Sequence, residues 1–249
     1  MQFNEKVIRD AISKSDSRVD LWKQLLDIQQ VRTMLEVGVW KGDFAEQILR
    51  SFEIIQRYYM IDPWARLPDW NKPFNVAPEL FDEIYQEAMR KTGFASERVV
   101  VLRGRTKEVI DAIPDNSLDF AYIDGDHTLR GITIDLLKIL PKMKEGGIIG
   151  GDDFINTPWQ HDARYEPTLV CPYSIYFAEA QDLPIMALPY NQFLIQKDNE
   201  AKFAFVDFTD HYQDISLNKL PVTGHQSEKN QQQKRFVRSW LAKIFNGDA

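Results

Sequence analysis

Two short segments hold the residue types with the most chemistry to offer. LDFAYIDGDH brings Asp124, Asp126 and His127 to the end of one apolar run, and GGDDF brings Asp152 and Asp153 to the end of another. Both runs have the length and composition of buried strands. If those strands are neighbours, at least three carboxylates meet at one edge of a sheet. Two such charges about 4 Å apart repel by roughly 4 kcal/mol at an effective dielectric near 20. Either one of them is protonated, or a cation sits among them. Oxygen ligands alone favour a hard ion such as Mg2+ or Ca2+.

A second group lies upstream. MLEVGVWKGDFAEQIL puts Glu36, Gly38 and Gly42 where a strand turns into a helix, a place where only glycine lets the backbone approach a ligand closely. Further on, YYMIDPW ends the next strand with Asp62, at about the 20-residue spacing of a carboxylate that accepts from both ribose hydroxyls. The dinucleotide pattern G-x-G-x-x-G is absent, and Gly38 to Gly42 reads G-x-x-x-G instead. That spacing does not cradle a pyrophosphate in the usual way and points to a nucleoside cofactor without phosphates. The plainer alternative makes Gly38 and Gly42 turn glycines and Asp62 a helix cap.

These groups need strands to carry them to one edge. Apolar runs at Thr33 to Val37, Tyr58 to Ile61, Val99 to Leu102, Asp119 to Ile123 and Gly147 to Gly150 read as strands. Helical spacing separates several of them, with Phe44, Ala45, Ile48 and Leu49 in one helix, Leu80 to Met89 in another and Ile132 to Leu140 in a third. Alternation of this kind predicts a parallel sheet covered on both faces. Pro184 to Leu188, Phe193 to Gln196 and Phe203 to Phe208 look like late strands, and residues 5 to 28 like two amphipathic helices broken near Ser13 to Ser17. In such a sheet, ligands bind in the crevice beyond the carboxyl ends of the strands.

In this order, Glu36-Val-Gly-Val-Trp-Lys-Gly42, Asp62 and Asp124 resemble the motifs of class I S-adenosylmethionine (SAM)-dependent methyltransferases, over about residues 31 to 200. The G-x-x-x-G turn is similar to that of the catechol, caffeoyl-CoA and macrocin-type O-methyltransferases. The resemblance implies a doubly wound α/β fold, Rossmann-like, with a mostly parallel seven-stranded sheet. It implies that Glu36, Gly38 and Gly42 surround the methionine half of SAM, that Asp62 holds the ribose, and that Trp64, Arg105 and Thr106 lie near the adenine, with Asp124 beside the cofactor. It further implies a divalent ion, Mg2+ by preference, on Asp124, Asp152 and Asp153, holding a substrate oxygen and lowering the pKa of its hydroxyl. His127 falls where the catechol-type enzymes carry a catalytic lysine, so the expected catalytic pair is His127, as general base, and Asp124. Asp126 as an orienting group for His127, or His127 itself as a ligand, stays open.

The domain reading is an N-terminal helical extension over 1–30, a SAM-binding domain over 31–222, and a polar linker with a basic amphipathic helix over 223–249. In that last stretch Lys229, Lys234, Arg235, Arg238 and Lys243 stand against Glu228 and Asp248. Docking on its own or a neighbouring subunit is the favoured reading, with an anionic membrane surface or another partner as the alternative. Aromatic stretches at Trp159 to Phe177 and at Trp70 and Phe74 are read as lids or substrate walls in at least one case, with packing against the core as the equal alternative.

A net charge of −7 gives no footprint for nucleic acid. The only cysteine, Cys171, excludes an internal disulfide and fits the cytoplasm. No signal peptide or membrane span is expected, and oligomeric state stays open, a homo-oligomer included. The sequence therefore predicts methyl transfer from SAM to a hydroxyl of a small molecule such as a natural product, sugar or phenolic. The alternatives are a metal-independent methyltransferase, a non-catalytic SAM-binding scaffold and, against the glycine spacing, a nicotinamide oxidoreductase.

Overall fold

The computed structural model describes residues 4–162 and 164–212. The basic C-terminal segment, 223–249, lies outside them. The chain begins with α1 (Glu5–Ser13) and α2 (Arg18–Gln29) and then alternates: β1 (Thr33–Val37), α3 (Asp43–Ser51), β2 (Arg57–Asp62), α4 (Pro78–Thr92), β3 (Val99–Arg103), α5 (Thr106–Val109), β4 (Leu118–Ile123), α6 (Leu129–Ile139), β5 (Met143–Gly151), α7 (Val170–Ala180), β6 (Pro184–Leu188), β7 (Gln192–Gln196) and β8 (Ala204–Asp207).

The strands form one sheet in the order β3-β2-β1-β4-β5-β7-β6-β8. β1 to β5 run parallel, and β7 is antiparallel to both β5 and β6. Among the described residues eight strands are present where the resemblance implies seven. The extra one, β8, pairs parallel with β6 and occupies what would otherwise be an open edge.

Side-chain alternation explains why the central strands read as continuous apolar runs. Met34, Met60, Phe120 and Ile148 face one buried cluster with α1 to α4, while Leu35, Ile61, Ala121 and Ile149 face another with α6 and α7. Both faces are dry, so both registers are apolar. The N-terminal helices belong to the first cluster. Trp22 of α2 is fully buried, and its ring lies so close over Gly150 of β5 that a Cβ there would meet it at 2.1 Å.

Strand order reverses between β1 and β4, whose register pairs Val37 with Ile123. Gly38 and Asp124, the next residues of each chain, therefore flank the same crevice. The stretch expected as a lid from Trp159 to Phe177 divides. Its first part borders the crevice, but its second half is α7, with seven of eleven residues buried. That helix is packed against α6 as part of the core because it is apolar on nearly every side.

Candidate active site at the carboxyl edge of the sheet

A cavity of about 460 Å³ opens at the strand reversal, within the range that holds a cofactor-sized molecule. Glu36, Gly38, Asp62, Arg105, Thr106, Asp124, His127, Asp152 and Asp153 all line it, together with residues from the loops after β2 and β5.

At the β1 side, Glu36 is buried and accepts a hydrogen bond from the Tyr58 hydroxyl at 2.5 Å. Burial pushes its carboxyl up to about 8, so it is largely protonated at neutral pH. Gly38 has φ +87 and donates its N–H to Ile61 O at 2.9 Å. A Cβ on it would lie 2.1 Å from Asp124 O. Gly42, φ +78, backs onto Ala88 of α4, with a notional Cβ 3.1 Å from its Cα. The sequence reading gave both glycines a ligand to make room for; the structure shows neighbouring backbone already claiming that room.

Asp62 accepts from the backbone N–H groups of Trp40 at 2.9 Å and Trp64 at 2.7 Å. Burial nevertheless raises it to about 6. Trp64 itself does not reach the cavity. It is fully buried, its indole donates to Trp40 O at 2.8 Å, and its ring meets Tyr85 edge-on at 5.1 Å. Its expected place beside adenine is thus corrected: the turn at Asp62 points the ring into the core. Arg105 is committed to an ion pair with Asp69, whereas Thr106 faces Asp135, a carboxyl that burial raises to about 7.

At the β4 and β5 ends the carboxylates have individual partners. Asp126 accepts from the Trp70 indole and from Thr128 N, each at 3.0 Å and both on Oδ1. Asp152 forms a close ion pair with Arg18 and accepts from the Gln192 amide at 2.6 Å. Asp153 forms a close pair with His127 Nδ1 and accepts from Gln160 at 2.6 Å. His127 Nε2 lies 3.4 Å from Asp124 Oδ1, an ion-pair contact rather than a hydrogen bond, and it has no hydrogen-bond partner. Burial opposes charge on this imidazole, but Asp124 and Asp153 outweigh it and hold it at about 9. An imidazole in that state favours its charged form at neutral pH, which weighs against the expected role of general base.

The residues that converge share Asp124 and Asp153 with the expected ligand set and add His127. Asp124, His127 and Asp153 offer one atom each, all within 4.8 Å of one another, while Asp152 is held elsewhere by Arg18. Two carboxylates and an imidazole nitrogen, once that nitrogen has lost its proton, are a donor set for Mn2+ or a neighbouring divalent ion as much as for Mg2+. Sequence reasoning missed Arg18 and also Lys72, a buried lysine at the cavity whose ammonium donates to Thr168 Oγ1 at 3.1 Å. Burial lowers its pKa. Trp70 and Phe74, read as lid residues, do border the cavity from the loop after β2.

Residues 35–154 match the family model of a methyltransferase domain. This segment is a methyltransferase domain. Among solved structures, the chain is similar to a protein assigned as a caffeoyl-CoA O-methyltransferase from Staphylococcus aureus, with 16% identity over 80% of this chain and 93% of that one and a TM-score of 0.54. It is also similar to the O-methyltransferase TomG of Streptomyces achromogenes in complex with SAM, at 14% identity, 79% and 91% coverage and a TM-score of 0.52. An O-methyltransferase from Bacillus cereus in complex with SAH gives 16%, 79% and 92%, and 0.52. At these identities the likeness establishes the fold. Among curated proteins none matches. The methyltransferase resemblance drawn from the motifs is borne out. Among the described residues, no helix is long and apolar enough to cross a membrane.

Proposed function

We propose that this protein transfers the methyl group of SAM to a hydroxyl of a small molecule in the cytoplasm, with a divalent ion at Asp124, His127 and Asp153. One observation carries the reading: these three side chains converge, with an imidazole nitrogen left without a hydrogen-bond partner, at the strand reversal of a methyltransferase domain. The ion would supply Lewis acidity to an acceptor oxygen, favouring its deprotonated form.

This chain's residues do the positioning. The neutral Glu36 and the turn at Gly38 and Gly42 border the methionine half of SAM, Asp62 takes the ribose hydroxyls, and Thr106 and Arg105 close the adenine end. Trp70 and Phe74 wall the acceptor side and limit water. With His127 Nε2 reserved as a ligand, Lys72 in its neutral amine form would take the proton of the acceptor hydroxyl; burial lowers its pKa and so favours that form.

The test has two stages. Calorimetry with S-adenosylhomocysteine should show binding, and its absence would remove the SAM reading. Chelator-treated protein is then assayed with radiolabelled SAM and a panel of catechols and other hydroxyl compounds, with Mn2+ or Mg2+ restored. Full transfer without metal would remove the ion while leaving SAM in place.

A further inference from the structure

Arg18 opens α2 directly after Ser17, whose side chain caps that helix. A helix N-terminus carries positive partial charge, so a cation there is opposed by the dipole. The carboxylate of the nearby Asp20 accepts from Ser17 Oγ at 2.7 Å. The guanidinium instead reaches the carboxyl ends of β4 and β5, forming the close pair with Asp152 and lying 3.4 Å from Asp124 Oδ2. Asp124 is thereby divided: Oδ2 faces Arg18, and Oδ1 faces His127.

One turn further along α2, Trp22 fixes the helix in place. Its indole donates to Gln192 Oε1 at 2.7 Å, and the amide nitrogen of the same glutamine donates to Asp152. Arg18 and Trp22 stand four residues apart on one helical face. Both are tied to the Asp152–Gln192 pair, one by charge and one by a buried hydrogen bond.

We propose that Arg18 is a built-in counter-cation that withdraws Asp152 from the ligand set and sets how strongly Asp124, His127 and Asp153 hold a divalent ion. The proposal rests on the ion reading above. A positive charge fixed on one of the ion's own ligands repels the incoming ion and lowers its affinity. Removing that charge frees Asp152 and strengthens the negative field. A residue that merely stapled α2 to the sheet would lower stability when lost and would not tighten metal binding.

The experiment is a Mn2+ titration of the full chain, following the electron paramagnetic resonance of the free ion, for wild type, Arg18→Met, Arg18→Lys and Asp153→Asn. S-adenosylhomocysteine calorimetry reports whether each variant is folded. Arg18→Met should bind Mn2+ about tenfold more tightly or better, Arg18→Lys should stay near wild type, and Asp153→Asn should lose the ion. If Arg18→Met fails to fold, the neutral Arg18→Gln must show the same tightening. Equal or weaker affinity in a folded neutral variant overturns the proposal while leaving the ion reading standing. Absence of Mn2+ binding in wild type and neutral variants alike overturns both.

Discussion

Gly38→Ala separates two reasons for a glycine in the turn after β1. If the glycine exists to admit a ligand, the variant folds normally and loses only binding. The structure gives the other reason. A non-glycine residue at φ +87 is strained, a cost of about 1–2 kcal/mol. The new Cβ would also sit 2.1 Å from Asp124 O and 2.7 Å from Gly125 Cα, both backbone atoms that cannot swing aside as a side chain would. Forcing β1 and β4 apart at their carboxyl ends adds an overpacking cost of about 1–3 kcal/mol. A loss near the middle of the combined range, about 3 kcal/mol, lowers the melting temperature of a chain this size by roughly 6–12 °C. Circular-dichroism melts of the ligand-free protein measure it. A variant melting within about 2 °C of wild type but unable to bind S-adenosylhomocysteine would refute the reasoning and return the glycine to the ligand.

Three further outcomes follow from the same geometry. Asp62→Asn exchanges an acceptor oxygen for a donor against two backbone N–H groups, and should weaken S-adenosylhomocysteine binding by about tenfold or more; calorimetry showing wild-type affinity would take Asp62 off the ribose. Glu36 is raised by burial to about 8: the unfolded chain ionises near the ordinary carboxyl pKa while the fold retains the proton, so this residue's contribution is full at acid pH and is lost as pH climbs from about 4.5 through 8. Glu36→Gln should therefore melt progressively higher relative to wild type between pH 5 and 8, and a pH-independent difference would contradict a buried neutral carboxyl. Because His127 stands at about 9 without metal, Mn2+ must displace a proton to reach Nε2; calorimetry at pH 7 in buffers of different ionisation enthalpy should find close to one proton released per ion, and release below about half a proton would exclude His127 as a ligand.

The strand ends were legible because buried parallel strands carry an unbroken apolar signal that stops at the first polar residue. Asp62, Asp124 and Asp152 each mark such a stop, next to the ends of β2, β4 and β5. The ligand set was legible only in part. Asp152 and Asp153 are consecutive, and neighbours in extended chain point to opposite sides; Asp153 turns further with φ +58. One of the two was bound to leave the cluster. α7 escaped notice because Pro172 in its first turn and apolar residues around its circumference hide the helical period. Trp64 sits two residues after Asp62, but its φ of +39 sends the ring inward, and a turn of that kind leaves no trace in composition. Arg18 lies 106 residues from Asp124. Its one local signal was a basic residue at a helix N-terminus, against the dipole rule.

Repulsion among the carboxylates, posed by sequence as a choice between protonation and a metal, is answered by neither in the metal-free protein. Asp124, Asp152 and Asp153 carry three formal negative charges, and Arg18 and protonated His127 carry two positive ones. One negative charge remains, beside an imidazole nitrogen without a hydrogen-bond partner. Exchanging the His127 proton for a divalent ion brings the same five groups to neutrality. Without Arg18, the metal-free site would hold two uncompensated charges and would draw a divalent ion correspondingly harder. Arg18 belongs to a helix that precedes the sheet, and Trp22 anchors that helix in the core. On the ion reading, the strength of the site is set from outside the strand ends that form it, by an element whose own stability comes from apolar burial rather than from the charges it balances.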